Sequence, residues 1–253
     1  MIFYFSATGN SRMVASLIAE KTWEETVSIT ECIKKACFSF SLRPGEPVGF
    51  VTPTYFWGVP TIVRDFLEKL TLDGQVGYCY HVATYGTTTG QSSRQMRELL
   101  EKKGLAMTAS FSVKMVDTWT PTFDLSDPEK NRAVTEAAIS EVQAVAEQIA
   151  LGRTGDFAKA KVPMPLVRWF YPRYEKARCT TNFTLLDSCI GCGICARQCP
   201  VEAIQIRDKK AVWVKESCVL CLGCLHHCPK FAIQYGPNTQ KHGQFVNDWE
   251  ERK

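Results

Sequence analysis

The sequence predicts an α/β protein: a doubly wound, mostly parallel five-stranded sheet over residues 1–151, then a small α+β module rich in cysteine. Three observations predict this. Short apolar runs alternate with segments of helical period through the first 151 residues, the pattern of a parallel sheet covered on both faces. A cysteine-bearing unit near the end of the chain is repeated once. The chain has 253 residues, 45 % apolar and 22 % charged, an ordinary globular balance with room for two modest domains.

The elements follow in order. Residues 1–5 are an apolar strand. Residues 11–21 place Val14, Leu17 and Ile18 on one helical face. A weak strand follows at 26–29 and a stronger one at 48–54. Residues 61–70 carry Ile62, Phe66 and Leu70 at helical spacing. A strand is expected at 77–84, and a helix at 92–103, ended by Gly104. The last pair is a strand at 107–116 and a long helix at 129–151, with Val134, Ala138, Val142, Val145 and Ile149 on its apolar side. Sheets of this kind bind ligands beyond the carboxyl ends of their strands.

Residues 152–179 read as an ordered connector. Pro163, Pro165 and Pro172 stiffen it, and Trp169, Phe170, Tyr171 and Tyr174 are dense enough to be expected between two packed domains. The cysteine module is expected over 180–236, and residues 237–253 read as a polar tail that covers the surface or frays. Residues 1–151 hold 14 basic against 17 acidic residues, 152–187 hold 7 against 3, and 188–253 hold 9 against 6. This imbalance is too mild for a nucleic-acid surface. The longest apolar-rich stretch, residues 47–63, is broken by Pro47, Pro53 and Pro60, so no membrane span is expected. No secretory signal is visible. The reduced thiol chemistry then points to a cytoplasmic setting.

Eight of the twelve cysteines lie between Cys189 and Cys228. Residues 188–206 and 217–235 align at a constant offset of 29, with nine of 19 positions identical, so the module is a duplication with expected pseudo-twofold symmetry. Each copy reads C-x-x-C-x-x-C-x-x-x-C-P. The first uses Cys189, Cys192, Cys195 and Cys199 before Pro200; the second uses Cys218, Cys221, Cys224 and Cys228 before Pro229. Three thiolates two residues apart on a tight loop reach three corners of one iron–sulfur cube, and the fourth leads away to the other cube. This assigns Cys189, Cys192, Cys195 and Cys228 to one [4Fe–4S] cluster and Cys218, Cys221, Cys224 and Cys199 to the second. Zinc prefers separated ligand pairs and suits these runs poorly. Gly191, Gly193 and Gly223 are expected to let the loops bend and aim N–H groups at sulfur. His226 and His227 read as solvated surface. Cys32, Cys37, Cys79 and Cys179 read as buried or idle thiols. Over 186–236 the chain resembles the bacterial two-cluster ferredoxins, which implies one-electron transfer between the clusters.

Ser6, Ala7, Thr8, Gly9, Asn10 and Ser11 follow a strand and open a helix. A helix N-terminus offers unpaired N–H groups and a positive dipole end, both suited to phosphate. The hydroxyls and the Asn10 amide would add donors. The loop has no lysine, so it is no nucleoside-triphosphate loop, and G-x-G-x-x-G is absent. Two further loops sit at carboxyl ends of predicted strands. One is Pro53, Thr54, Tyr55, Phe56, Trp57 and Gly58; the other is Thr84, Tyr85, Gly86, Thr87, Thr88, Thr89 and Gly90. A flat aromatic ligand could lie between them. Over 1–151 the chain resembles the flavodoxins, with the S-A-T-G-N-S loop matching that family's phosphate loop. The resemblance implies FMN, the strand order 2-1-3-4-5, and ring contacts from the two later loops. The joined pattern resembles the flavodoxin–ferredoxin fusion proteins of anaerobic microbes.

The expected function is electron transport within one chain: single electrons pass between two [4Fe–4S] clusters and FMN, coupling one-electron redox partners to a two-electron flavin. An FMN-dependent oxidoreductase acting on a small organic acceptor is the alternative, with His81 a conceivable proton donor, though a lone histidine in a strand is more often structural. A redox-sensing module ranks third.

Overall fold

The computed structural model describes residues 1–249. Its central sheet is built from β1 (Ile2–Tyr4), β2 (Thr26–Ser28), β3 (Pro47–Pro53), β4 (Tyr78–Tyr85), β5 (Ala109–Lys114) and β6 (Gly155–Asp156). Every pairing is parallel and the order is β2-β1-β3-β4-β5-β6, which is the expected 2-1-3-4-5 with one two-residue strand added at the edge. That last strand comes from the segment read as connector, so the sheet recruits chain beyond residue 151. A short parallel pair, Ser39–Ser41 with Thr71–Asp73, lies outside the main sheet.

Both faces are covered. Phe3, Phe5, Val48 and Phe50 pack with Ile62, Phe66, Met96 and Leu100 on one side. Ile2, Val51, Val82 and Phe111 pack with Met13, Val14, Ile18, Val142 and Ile149 on the other. The alternation Ile2/Phe3 splits one strand between the two cores, as the period of two requires. The helices are α1 (Asn10–Thr22), α2 (Ile29–Lys35), α3 (Thr61–Lys69), α4 (Ser92–Glu101) and α5 (Pro128–Ala150). The sequence pattern missed α2, which is only seven residues long. It forms because the Ser28 hydroxyl accepts from Glu31 N–H as an N-cap, and because Ile29 and Cys32 are buried.

The connector folds into α6 (Met164–Phe170) and α7 (Arg173–Ala177). The cysteine module has two antiparallel pairs, Phe183–Leu185 with Ile233–Tyr235 and Ile204–Arg207 with Lys210–Trp213. It also has two one-turn helices, α8 (Ile194–Gln198) and α9 (Gly223–His226). The tail does not fray within the described residues: Asn247 and Trp249 are buried, and Trp249 joins the core under α1 and α5. Among the described residues no helix is long and apolar enough to cross a membrane.

Candidate cofactor sites

Loops at the carboxyl ends of β1, β3, β4 and β5 surround a cleft of about 310 Å³. Ser6, Ala7, Thr8, Asn10, Ser11, Pro53, Thr54, Tyr55, Phe56, Trp57, Thr84, Tyr85, Gly86, Thr87 and Thr88 all line it. Gly9, Gly58 and Gly90 do not line it. Their value is close packing behind it: a Cβ on Gly9 would meet Asn247 O at 2.6 Å, one on Gly58 the Tyr171 ring at 2.4 Å, and one on Gly90 Trp57 O at 2.1 Å.

The phosphate-loop residues divide their work. α1 starts on Gly9 with no side-chain cap and no acidic residue in its first turn, so its leading N–H groups remain open to an anion. Ser11 is engaged with Thr84 (Oγ to Oγ1, 2.8 Å). Asn10 Nδ2 donates to Val116 O at 3.0 Å, and Asn10 Oδ1 accepts from Asn247 Nδ2 at 3.2 Å. The Asn10 amide therefore braces the loop, whereas the sequence suggested a phosphate donor.

Tyr55 and Gly58 exchange both backbone hydrogen bonds at 2.9 Å, closing a tight turn whose two central residues, Phe56 (φ 48°) and Trp57 (φ 67°), are left-handed. Neither is glycine, so the turn holds strain of about 1–2 kcal/mol per residue. Contacts with the connector offset it: Trp57 stacks on Phe170 at 4.2 Å, and Phe56 stacks on Tyr174 at 5.3 Å. The connector aromatics thus pack domain on domain as expected, except Trp169, which is exposed under the Arg173 guanidinium.

The loop after β5 was overlooked in the sequence. Met115 to Trp119 line the cleft, and Asp117 is its carboxylate. Burial pushes the Asp117 carboxyl above the usual range, against hydrogen bonds from Trp119 N–H (3.2 Å) and the Thr87 hydroxyl (3.4 Å). The only signal available was its position at the carboxyl end of a strand. His81 is fully buried between Thr52 Oγ1 (2.9 Å) and Ser93 Oγ (3.2 Å), and burial lowers it to about 3. It is a core histidine.

The eight repeat cysteines fall into two sets, each around a small cavity. Cys189, Cys192, Cys195 and Cys228 line one. Cys199, Cys218, Cys221 and Cys224 line the other. Burial pushes the Cys218 thiol up to about 11 and Cys221 to about 12, and raises Cys224 well above the ordinary thiol range, so a cationic centre is what would favour their thiolate forms. Backbone N–H groups already point at sulfur: Ala203 to Cys199 (3.2 Å), Leu220 to Cys218 (3.3 Å) and Ala232 to Cys228 (3.3 Å). Among the described residues no group of three or more His, Cys, Asp or Glu side chains is gathered as for a single ion. The donor set fits cuboidal clusters, which need thiolates spread around a cavity and N–H groups on the sulfurs.

The glycines are used unevenly. Gly191 (φ 66°) and Gly193 (φ 76°) are left-handed. Gly223 is not; a Cβ built on it would lie 3.5 Å from Ala7 O, where the cysteine module meets the phosphate loop. His226 and His227 are not solvated surface. Phe245 N–H donates to His226 Nδ1 (3.2 Å), so Nε2 carries the proton and donates to Thr118 O at 3.0 Å. His227 Nε2 bonds Ala7 O at 3.0 Å. Both histidines tie the second cysteine loop to the cleft. Leu220, Cys221 and Leu222 form part of the cleft wall.

No curated protein matches the chain. Among solved structures, rubredoxin oxygen:oxidoreductase from the anaerobe Desulfovibrio gigas is 20 % identical, covering 56 % of this chain and 35 % of that one, with a TM-score of 0.32. The Flv1 flavodiiron core from Synechocystis sp. PCC6803 is 16 % identical over 58 % and 36 %, with a TM-score of 0.32. The Trp repressor binding protein from Bacillus subtilis is 13 % identical over 61 % and 100 %, with a TM-score of 0.33. The chain spans about a third of the first two proteins. A family model described as a flavodoxin domain matches residues 1–140, and one described as a 4Fe-4S dicluster domain matches residues 188–233. The chain belongs to the flavodoxin-domain family, and carries a two-cluster ferredoxin domain fused behind its flavodoxin-like domain.

Proposed function

We propose that this protein moves single electrons between two [4Fe–4S] clusters and FMN within one chain, joining one-electron redox partners to a two-electron flavin. One observation carries the reading: Cys221 lines both the cavity of the second cysteine set and the cleft of the flavodoxin-like domain. The proposed flavin and cluster sites would therefore share a wall, and covalent fusion would replace a diffusive encounter.

The open N–H groups of α1, with Ser6 and Thr8, would hold the FMN phosphate. The Tyr55–Trp57 turn and the Thr84–Thr88 loop would hold the ring. When bound, FMN supplies a centre that accepts or donates electrons singly or in pairs. Cys189, Cys192, Cys195 and Cys228 would ligate the outer cluster, and Cys218, Cys221, Cys224 and Cys199 the inner one. The outer set reaches the surface at exposed Cys192 and Ile190, beside Arg197 and Lys230. An external redox protein would exchange electrons there. The modules we propose are the flavodoxin-like domain 1–151, whose sheet the edge strand Gly155–Asp156 extends, the connector 152–179 and the cysteine module 180–236, with the tail 237–253 behind, in a cytoplasmic setting.

A second reading, an FMN-dependent reductase of a small organic acceptor, is favoured by Asp117, a carboxyl that lines the cleft and whose proton affinity burial raises. It would supply protons to an acceptor.

The test is anaerobic purification followed by iron, sulfide and flavin analysis. About eight irons and eight sulfides per chain are expected. Thr8→Trp with Asn10→Trp should expel flavin and leave iron intact. Cys199→Ala should damage the inner cluster first. A zinc-only protein, or flavin occupancy indifferent to the loop, overturns the reading.

A further inference from the structure

The two cysteine loops are copies, yet they differ at the residues that bend them. Positions 191 and 193 of the first copy correspond to 220 and 222 of the second at the constant offset of 29. All four are left-handed: Gly191 at φ 66°, Gly193 at 76°, Leu220 at 56° and Leu222 at 54°. The first copy meets this requirement with glycine, the residue that adopts it without a steric cost. The second copy keeps γ-branched side chains there, which is unfavourable for the backbone.

The loop that carries the strain is the one that faces the flavin cleft. Leu220 and Leu222 flank Cys221, both are almost fully buried, and both line that cleft; Gly191 and Gly193 lie at the remote, outer cysteine set. Strain in a non-glycine residue persists where the surrounding structure uses the side chain. Here the side chains supply the apolar part of the wall on either side of a cluster ligand.

We propose that Leu220 and Leu222 are positioning residues that close the cleft against water between the inner cluster and the flavin, retained although glycine would relax the loop. The proposal rests on the flavin and cluster reading above. Apolar closure raises the strength of every polar contact inside the cleft and keeps the flavin from leaving through the interface.

The experiment compares the wild-type holoprotein with Leu220→Gly/Leu222→Gly and with Leu222→Met. Measured are iron content, the FMN dissociation constant by equilibrium dialysis, and the vibronic structure of the bound flavin's visible band, which blurs when the ring meets water. The double glycine variant should keep its iron, bind FMN at least about tenfold more weakly and show a blurred band. Leu222→Met, still apolar, should keep wild-type binding and band shape. A dissociation constant within about twofold of wild type with a sharp band overturns the proposal. Should the double variant lose iron, Leu222→Asn decides, because asparagine tolerates the left-handed conformation while placing an amide in the wall. A weaker constant with blurring supports the proposal, and an unchanged one overturns it. A wild-type protein that takes up no FMN defeats the flavin reading itself, before any variant is compared.

Discussion

Tyr174 holds the cysteine module against the flavodoxin-like domain, and its removal has a calculable cost. The side chain is completely buried. Its ring stacks on Phe56 at 5.3 Å, meets Tyr55 edge-on at 6.2 Å and leans on Tyr171 at 6.0 Å. Its hydroxyl donates to Val219 O, one residue before the strained Leu220. Tyr174→Ala empties an aromatic-sized space, at a cost of about 3–5 kcal/mol. If that cost falls on docking, the docked-to-undocked ratio drops by about two to three and a half decades. Tyr174→Phe keeps the ring but leaves the buried Val219 carbonyl without its donor and removes the hydroxyl's hydrogen bonds with Thr61, costing about 1–3 kcal/mol. The assay is rapid reduction of the iron–sulfur centres followed by flavin absorbance, together with denaturant unfolding. The phenylalanine variant should pass electrons at close to the wild-type rate with a lowered midpoint. The alanine variant should show a slow phase of flavin reduction independent of protein concentration, and its cysteine module should unfold first. An alanine variant with wild-type stability and a single fast phase would refute the claim that this ring docks the modules.

Three further outcomes are expected. Asn247→Ala removes the donor to Asn10 Oδ1 and the acceptor for Trp249 N–H, so thermal unfolding should shift down by about 1–3 kcal/mol and flavin binding should weaken with the loosened loop; equilibrium dialysis checks the second effect. Gly191→Ala forces a left-handed alanine whose Cβ would lie 2.5 Å from Lys209 O, and iron analysis with electron paramagnetic resonance should show the outer cluster lost before the inner. His81, lowered by burial to about 3 in the fold, is neutral there but takes a proton in the unfolded chain near its ordinary value of about 6.5. Its contribution is therefore complete above that pH and is lost on acidification, at up to about 1.4 kcal/mol per pH unit. In His81→Gln the acid slope of urea-measured stability between about pH 6.5 and 5 should be shallower than in the wild type by up to that amount; equal slopes would sink this assignment.

Much of the fold was legible because it depends on local periodicity. The strands at residues 1–5, 48–54, 77–84 and 107–116 announce themselves as apolar runs, and α1, α3, α4 and α5 as helical faces. α2 was missed because seven residues are too few to set a period, and the two-residue edge strand β6 has no pattern at all. The cleft was legible in its three sequence-marked loops. Asp117 and the Leu220–Leu222 wall were not, because each reaches the cleft by tertiary contact across the sheet or from the other module.

By itself, the sequence determined the chemistry on offer: eight cysteines in duplicated spacing, and a hydroxyl-rich loop opening a helix. Spacing along the chain governs which thiols and N–H groups can converge. The tertiary structure alone decided which cysteine set adjoins the cleft. Cys221, Gly223 and His227 meet the cleft or the loop at Ala7, while Cys192 and Ile190 face outward. The two repeats share one cysteine spacing. Only the docking of one of them, through Tyr174, His226 and the returning tail, makes one cysteine set inner and the other outer, because that contact is made between residues from 45 to more than 200 positions apart.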